Sequence, residues 1–257
     1  MTRRILLLHG YSQNKTILYK KISAVRKACK DCEFVFVDAP HVVDPEGDDP
    51  HDHATVDLTD PTLTPRAWWP IDPVTQAYTS VEETMVFLRD LLAKDRFHGV
   101  FGFSQGTAVA AVLCAVLERP HLYPSFMVDG VSPHPPFEFA IFVSGFKPIR
   151  SDILPPLFVE PIKTPTLHVV GRGDAIIPPE RAQTLIDACV DPRVEWHEGG
   201  HFIPSNASWR RFFAAYITNS DPNATAERLH VPSPLSADVS TATTPNDTRS
   251  VTPSCSR

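Results

Sequence analysis

Ser104 is the residue of this sequence best placed to act as a nucleophile. It is the centre of the pentapeptide GFSQG at 102–106, which lies between an apolar run and an Ala-rich run. In α/β proteins a Gly-x-Ser-x-Gly turn joins a strand to a helix, and its glycines let both elements approach while the serine hydroxyl stays exposed. A chance match is expected in roughly a few hundredths of chains of this composition. We therefore interpret Ser104 as a nucleophile rather than an incidental serine in a glycine-rich turn.

A serine hydroxyl is a weak nucleophile unless a histidine takes its proton and a carboxylate orients that histidine. Asp174 follows an apolar run that ends at Gly171, and His201 follows a second strand-like run that ends near His197. Carboxyl ends of parallel strands meet at one edge of a sheet, so both side chains should lie at the edge that carries Ser104. The chain order Ser, Asp, His is that of the α/β-hydrolase fold. The sequence therefore predicts a catalytic triad of Ser104, Asp174 and His201.

Other acids and histidines fit these two roles less well. Asp187 and Asp191 follow a helix rather than a strand, and Asp152 comes after an earlier strand. His197 is expected to be still within its strand, and His168 lies inside an apolar strand, which is typical of a core histidine. They remain the alternatives to Asp174 and His201.

Backbone amides complete the predicted site. The N–H group that follows the nucleophile belongs to Gln105, and the loop after the first strand supplies a second donor, which we assign to Tyr11. Gly10 would let this loop come close to the nucleophile. We expect His9 to hold the loop rather than to take part in catalysis.

The elements that must position these residues alternate between apolar strands and helices, which indicates an α/β fold with a mostly parallel sheet and helices on both faces. Strands are predicted at 4–8, 34–37, 99–103, 139–143, 166–170 and 194–196. Helices are predicted at 15–30, from Ser80 onward, at 107–118, 179–189 and 207–217. The helix after Ser80 should begin with a capping box in which Ser80 pairs with Glu83.

Two segments depart from this alternation. Residues 41–73 are rich in Pro, Asp and His and are too long for an ordinary connection, which indicates an insertion near the active site. Residues 219–257 have few large apolar side chains, so we predict a disordered C-terminal tail after an α/β-hydrolase domain at 1–218.

The insertion has two features that bear on the substrate. Trp68 and Trp69 either anchor it to the domain or line an acyl pocket, and Phe146 and Phe158 are the other predicted pocket residues. The part at 44–60 contains seven acidic residues and no Lys or Arg, so it should repel anionic substrates and favour neutral esters or carrier-bound acyl groups.

Composition argues against several other classes of function. A formal net charge of −6 and a pI near 6.0 give no basic surface for nucleic acid. The apolar runs are too short for a signal peptide or a membrane span, so we expect a cytoplasmic protein, with the nucleus left open. The pair Cys29-x-x-Cys32 falls at a helix C-terminus, which raises a thiol pKa and argues against redox chemistry. The motif at 51–53, His-Asp-His, lacks a third metal ligand.

Five motifs together resemble the FSH family of serine hydrolases, a group related to the human ovarian tumour suppressor candidate hydrolase. They are LLLHGYSQN near the start, RAWWP in the insertion, GFSQG, GRGDAIIP and GGHFIP. The resemblance implies an α/β-hydrolase fold, the same triad, and carboxylesterase or thioesterase activity, often on medium or long acyl chains. Fungal relatives include thioesterases that release polyketides from synthases.

The sequence thus predicts a serine hydrolase that cleaves carboxylic esters or thioesters through an acyl-enzyme intermediate, with no metal or organic cofactor. The expected partner is a small-molecule acyl ester or thioester, or an acyl group on a carrier domain. An acyltransferase would share every motif, and a hydrolase-fold module that only binds ligands is the alternative of another class.

Overall fold

Six strands form one parallel sheet in the computed structural model, which describes residues 2–43, 62, 64–218 and 230–235. The sheet strands are β1 (Arg3–Leu8), β2 (Cys32–Val37), β5 (Gly99–Phe103), β6 (Phe139–Val143), β7 (Thr166–Gly171) and β8 (Arg193–His197). A separate antiparallel pair is formed by β3 (His41–Val42) and β4 (Arg66–Ala67). The helices are α1 (Lys15–Lys21), α2 (Ser23–Ala28), α3 (Val81–Lys94), α4 (Gln105–Glu118), α5 (Pro179–Ile186) and α6 (Ala207–Thr218), with 3-10 turns at Pro120–Leu122, Pro124–Phe126 and Pro155–Phe158.

The strand order is β2-β1-β5-β6-β7-β8. Leu8 at the end of β1 pairs with Val37 of β2 on one side and with Gly102 of β5 on the other. The chain therefore adds β2 on one side of β1 and the later strands on the other side, so the strand order reverses between β1 and β5. In open α/β sheets such a switch point is where ligands bind, beyond the carboxyl ends of the strands.

Helices cover both faces of the sheet, as predicted. One core cluster contains side chains of α3, α4 and α5, and the other contains those of α1, α2 and α6. Helix α4 is buried along its whole length from Gln105 to Leu117, which explains its unbroken apolar sequence. Among the described residues, no helix combines the length and apolar character that a bilayer crossing would need.

Two local predictions are corrected. The helix predicted at 15–30 is broken at Ile22, whose φ of −94° and ψ of 8° separate α1 from α2. The predicted capping box at α3 does not form, because Ser80 has a left-handed backbone with φ of 54° and its side chain makes no capping hydrogen bond.

Part of the C-terminal segment lies against the domain. The Ser233 hydroxyl donates a hydrogen bond to Glu195 Oε2 of β8 at 2.6 Å, and Arg193 Nη2 donates to the Val231 carbonyl at 2.5 Å. Residues 230–235 thus depart from the disorder expected of the tail. The other tail residues lie outside the described part of the chain, and the domain boundary at 218 stays a prediction.

Candidate active site

Ser104 occupies a strained turn between β5 and α4. Its φ of 53° and ψ of −121° are rarely adopted by a residue with a side chain, and such strain is concentrated at functional sites. The flanking glycines are required by close backbone approach. A Cβ on Gly102 would lie 2.4 Å from the Thr107 Cα, and one on Gly106 would lie 2.2 Å from the Leu8 carbonyl oxygen. The turn is therefore built as the nucleophile interpretation requires.

Asp174 and His201 form a hydrogen-bonded pair across two loops. The imidazole Nδ1 lies 3.1 Å from Asp174 Oδ1 and 2.9 Å from Oδ2. The backbone N–H groups of Ile176 and Ile177 also donate to Oδ1, at 3.0 and 2.8 Å. Because a carboxylate only accepts hydrogen bonds, Nδ1 carries the proton and Nε2 is left as the basic nitrogen.

The carboxylate of Asp174 is held in its charged form. The residue is only 3% exposed, and burial alone would raise its pKa. The hydrogen bonds from His201 and from the Ile177 amide outweigh burial and lower the pKa of Asp174 below its ordinary value. A charged carboxylate can fix the histidine tautomer and stabilise the imidazolium that forms during proton transfer.

One narrow cleft brings these groups together. Its lining includes Ser104 and His201, as well as Tyr11 and Gln105, the two residues predicted to supply oxyanion-hole amides. Gly10 lies against Ser104, since a Cβ at that position would be 3.2 Å from the Ser104 Cβ. The placement is compatible with the predicted oxyanion hole, which stays a prediction.

Apolar and cationic side chains complete the cleft. The remaining lining residues are Ile71, Tyr78, Phe146, Arg150, Ile176, Ile177 and Arg181. The sequence reasoning missed both arginines. One signal was available for Arg181, because it falls in the first turn of α5, where a cation opposes the helix dipole. Arg150 lies in an irregular segment and gave no such signal.

The cleft continues into a wider groove. The cleft has a volume of about 90 Å³ and the groove a volume of about 710 Å³, and the two share Tyr78 and Arg150 as lining residues. Acidic side chains line the groove further out, namely Glu82, Glu83 and Asp152. Asp152, an alternative to Asp174, therefore lies beside the cleft rather than next to His201.

The structure corrects the predicted role of the two tryptophans. Trp68 and Trp69 are fully buried and do not line the cleft. Trp68 Nε1 donates to the His9 carbonyl at 2.9 Å. The Gln105 side chain accepts from the Trp68 amide at 2.9 Å and donates to the Trp69 carbonyl at 2.7 Å. Both residues thus anchor the insertion to the domain, which was the alternative to a pocket role.

Of the two phenylalanines predicted for the pocket, the structure places only Phe146 in the cleft. The Arg181 guanidinium lies 4.1 Å from the centre of its ring. Phe158 ends the 3-10 turn at Pro155–Phe158, where its ring contacts the Lys147 ammonium, and it is not a lining residue.

The three other histidines that the sequence singled out, His9, His168 and His197, have structural surroundings. His9 donates from Nδ1 to the Gly10 carbonyl and accepts at Nε2 from the Ala39 amide, and burial lowers its pKa to about 4. Burial in β7 lowers the pKa of His168 to about 3. His197, at the end of β8, accepts from the Gly199 amide at 3.2 Å, and burial lowers its pKa as well. His9 therefore holds its loop, as expected.

The described residues contain no group of three or more His, Cys, Asp or Glu that could hold a metal ion. The motif at 51–53 and the acidic stretch at 44–60 lie outside the described residues. The cysteine pair is poorly suited to nucleophilic chemistry, since burial raises the pKa of Cys29 to about 12 and also raises that of Cys32.

The chain is similar to known serine hydrolases and esterases. A family model described as serine hydrolase (FSH1) matches residues 1–213. Esterase OVCA2 of Danio rerio is 34% identical over 235 residues, which cover 83% of this chain and 96% of the relative. Esterase OVCA2 of Mus musculus is 31% identical and covers 84% of this chain and 96% of the relative. The solved structure of Zea mays acyl-protein thioesterase 2 matches with a TM-score of 0.56 at 17% identity, over 84% of this chain and 93% of that one. The fold is accordingly that of the α/β hydrolases.

Proposed function

Because the chain belongs to the FSH1 serine hydrolase family, we propose that it cleaves carboxylic esters or thioesters through an acyl-enzyme intermediate on Ser104. The observation that carries this proposal is the convergence of three groups. A serine in a left-handed turn and a histidine line one cleft, and that histidine donates Nδ1–H to a buried aspartate.

In the first half of the reaction, Ser104 Oγ attacks the carbonyl carbon of the substrate and its proton passes to His201 Nε2. The tetrahedral oxyanion receives hydrogen bonds from the backbone N–H groups of Gln105 and Tyr11. The bond to the leaving group then breaks, and His201 returns the proton to the departing alcohol or thiol. Ser104 is left as an acyl ester.

In the second half, water attacks the acyl carbon while His201 accepts one of its protons. Collapse of the second tetrahedral intermediate releases the carboxylic acid and returns the proton to Ser104. Asp174 keeps the imidazole in the tautomer that both halves need. An acceptor alcohol that replaced water would turn the same site into an acyltransferase.

Medium to long acyl chains are the substrates we propose. The cleft volume of about 90 Å³ is below the ~300 Å³ at which sites for drug-sized ligands begin. A chain of that length would therefore pass Tyr78 into the adjoining groove of about 710 Å³. Carrier-bound acyl thioesters would use the same route, with the carrier outside the groove.

A fluorophosphonate probe tests the nucleophile directly. We expect the probe to add to Ser104, as mapped by mass spectrometry, and Ser104→Ala to abolish both labelling and hydrolysis of a panel of acyl esters and thioesters. Ser205→Ala, which removes an exposed hydroxyl in the loop after His201, is the matched control and should retain both. Undiminished hydrolysis by Ser104→Ala would refute the mechanism, and binding of esters without any turnover would favour the ligand-binding module. Product analysis with added alcohols separates hydrolysis from acyl transfer.

A further inference from the structure

Two cationic side chains lie in the cleft beside the nucleophile. Arg150 and Arg181 both line the space that Ser104 and His201 share. Neither forms an ion pair with a carboxylate of the described residues. Six other arginines do, at positions 3, 4, 89, 119, 172 and 193, whereas those at 26, 66, 96, 210 and 211 do not, and of all the unpaired arginines in the described residues only Arg150 and Arg181 line the cleft. Two arginines without a carboxylate partner, close to a reactive serine, form a site for a negatively charged group.

Arg181 is held in place by the walls of the cleft. It is half-buried, and its guanidinium lies 4.1 Å from the centre of the Phe146 ring. The Tyr78 side chain, which also lines the cleft, interacts electrostatically with it. Burial lowers its pKa, and its position in the first turn of α5 sets a cation against the positive end of a helix. The burial of the charge and its position at the helix N-terminus both cost stability when the cleft is empty, and both costs fall when an anion binds there.

Arg150 lies where the cleft opens into the groove. Its backbone carbonyl accepts from the Tyr78 amide at 2.7 Å, and its Nη1 donates to Gln76 Oε1 at 3.4 Å. The guanidinium is exposed and can turn toward the cleft or toward the solvent. Tyr78 thus lines the cleft together with both arginines and is bonded through its amide to the backbone of Arg150.

No carboxylate of the described residues forms an ion pair with Arg150 or Arg181, although the charge of Asp174 attracts Arg181 from a longer distance. Asp174 lies deeper, and its oxygens accept hydrogen bonds from His201 and from two backbone amides. Glu82, Glu83 and Asp152 line the adjoining groove and not the cleft. Positive side chains therefore line the cleft that contains Ser104, and the acidic ones line the groove.

We propose that Arg150 and Arg181 bind an anionic group of the substrate, a carboxylate or a phosphate, so that the enzyme selects anionic esters or thioesters. The inference rests on the proposed function and narrows its substrate class. The anion can belong to the acyl group, as in the hemiester of a dicarboxylic acid, or to the leaving group. This specificity is opposite to the preference for neutral esters that the acidic stretch at 44–60 indicated.

Two pairs of synthetic esters separate the sources of the anion. On the acyl side, phenyl hydrogen glutarate is compared with phenyl 5-methylhexanoate, in which an isopropyl group replaces the carboxylate. On the leaving-group side, 4-acetoxybenzoate is compared with 4-isopropylphenyl acetate. The quantity measured is the ratio of kcat/KM for the anionic ester to that for its neutral partner, in the wild type and in each variant.

We expect Arg181→Gln to lower this ratio about 10- to 100-fold in the pair that carries the anion on the correct side, which is the range for a lost charge-assisted hydrogen bond. Arg150→Gln should lower it less, and Arg181→Lys should restore part of it. The matched control is Arg211→Gln, which removes one exposed positive charge from α6 on the other face of the sheet and should leave the ratio unchanged.

A second measurement needs no variant. For the wild type, added NaCl should lower kcat/KM for the anionic ester more than for its neutral partner, because screening weakens the attraction. Equal salt dependence, together with ratios unaltered by Arg150→Gln and Arg181→Gln, would overturn the inference and leave the proposed function standing. If the wild type hydrolysed none of these four esters but did hydrolyse the panel of acyl esters and thioesters described above, the inference alone would be overturned. Failure to hydrolyse either set would overturn both proposals.

Discussion

The elbow at 99–106 and the described part of the insertion at 64–73 meet at Ser104, but they are fixed by different kinds of contact. In the elbow, backbone lies on backbone, and the Gly106 Cα faces the carbonyl oxygens of Leu8 and His9. The insertion has a backbone hydrogen bond to the domain, from the Arg66 amide to the Gln13 carbonyl at 2.8 Å, and is also tied down by side chains such as the Gln105 amide and the Trp68 indole. Side-chain ties can be weakened one at a time, whereas backbone contact leaves no room for an added atom. A single substitution in the elbow should therefore cause a large loss of stability, whereas a single substitution at a side-chain contact of the insertion should cause a smaller one.

The largest effect is expected from Gly106→Ala. The new Cβ would lie 2.2 Å from the Leu8 carbonyl oxygen and 2.5 Å from that of His9, and neither backbone atom can move without separating β1 from β5. We expect a loss of more than about 4 kcal/mol in the free energy of unfolding, measured by urea denaturation. Gly130→Ala is the control, because its site is open although its φ is +77°, and it should cost about 1–2 kcal/mol. A Gly106→Ala variant as stable as this control would contradict the description of the elbow.

Asp174→Asn tests whether an intact elbow is enough for catalysis. The amide can mimic the shape of the carboxylate, but it favours the wrong histidine tautomer and does not stabilise the imidazolium. We expect kcat to fall about 10³- to 10⁴-fold while the fold is retained. Asp191→Asn is the matched control, since Asp191 is exposed and asparagine tolerates its φ of 45°. Near-normal turnover by Asp174→Asn would remove the pair with His201 from the mechanism.

Gln105→Met loosens the insertion without changing the backbone amide at 105. It leaves the Trp68 amide and the Trp69 carbonyl buried without partners, at about 1–3 kcal/mol each. We expect stability to fall by about 2–4 kcal/mol and hydrogen exchange to increase in residues 66–73. Gln183→Met, which removes an exposed hydrogen bond on α5, should cost less than about 0.5 kcal/mol. Unchanged exchange at 66–73 would show that the insertion is held by other contacts.

Acid should lower the free energy of unfolding of the whole domain, because two buried histidines are neutral in the folded state. His9 and His168 stay neutral in the folded state down to pH about 4 and about 3, whereas in the unfolded chain they take up protons below pH about 6.5. Stability should therefore fall as the pH drops below 6.5, by about 2 kcal/mol per histidine at pH 5. The lowered pKa of Asp174 stabilises the fold above pH about 4 and is lost only at still lower pH, so it adds nothing to this slope.

Urea denaturation at pH 7 and pH 5 measures this effect. His168→Leu should show a smaller difference between the two pH values than the wild type does, because it removes one of the buried histidines that take up a proton on unfolding. Equal stability of the wild type at both pH values would contradict the prediction.

The elbow was easier to predict from the sequence than the insertion, because the insertion is held by side-chain contacts between distant residues. The elbow could be predicted because its requirements lie within five consecutive residues, and Asp174 could be located because it follows a strand. The position of Trp68 and Trp69 depends on hydrogen bonds with Gln105, which is distant in sequence. Composition alone could therefore not decide whether they anchor the insertion or line an acyl pocket. The capping box failed for a similar reason, since Ser80 follows a residue whose amide is bonded to the Pro70 carbonyl.

The contact of Gly106 with Leu8 and His9 also has a consequence for folding. Gly106 is far in sequence from Leu8 and His9. Contacts between distant residues in a parallel sheet form late, because a long loop must close first. Ser104 thus acquires its strained conformation only once β1 has docked on β5. During refolding, reactivity toward a fluorophosphonate should return together with the sheet and not before it. A nascent or misfolded chain carries an ordinary serine, and activation of the nucleophile is itself a product of completed folding.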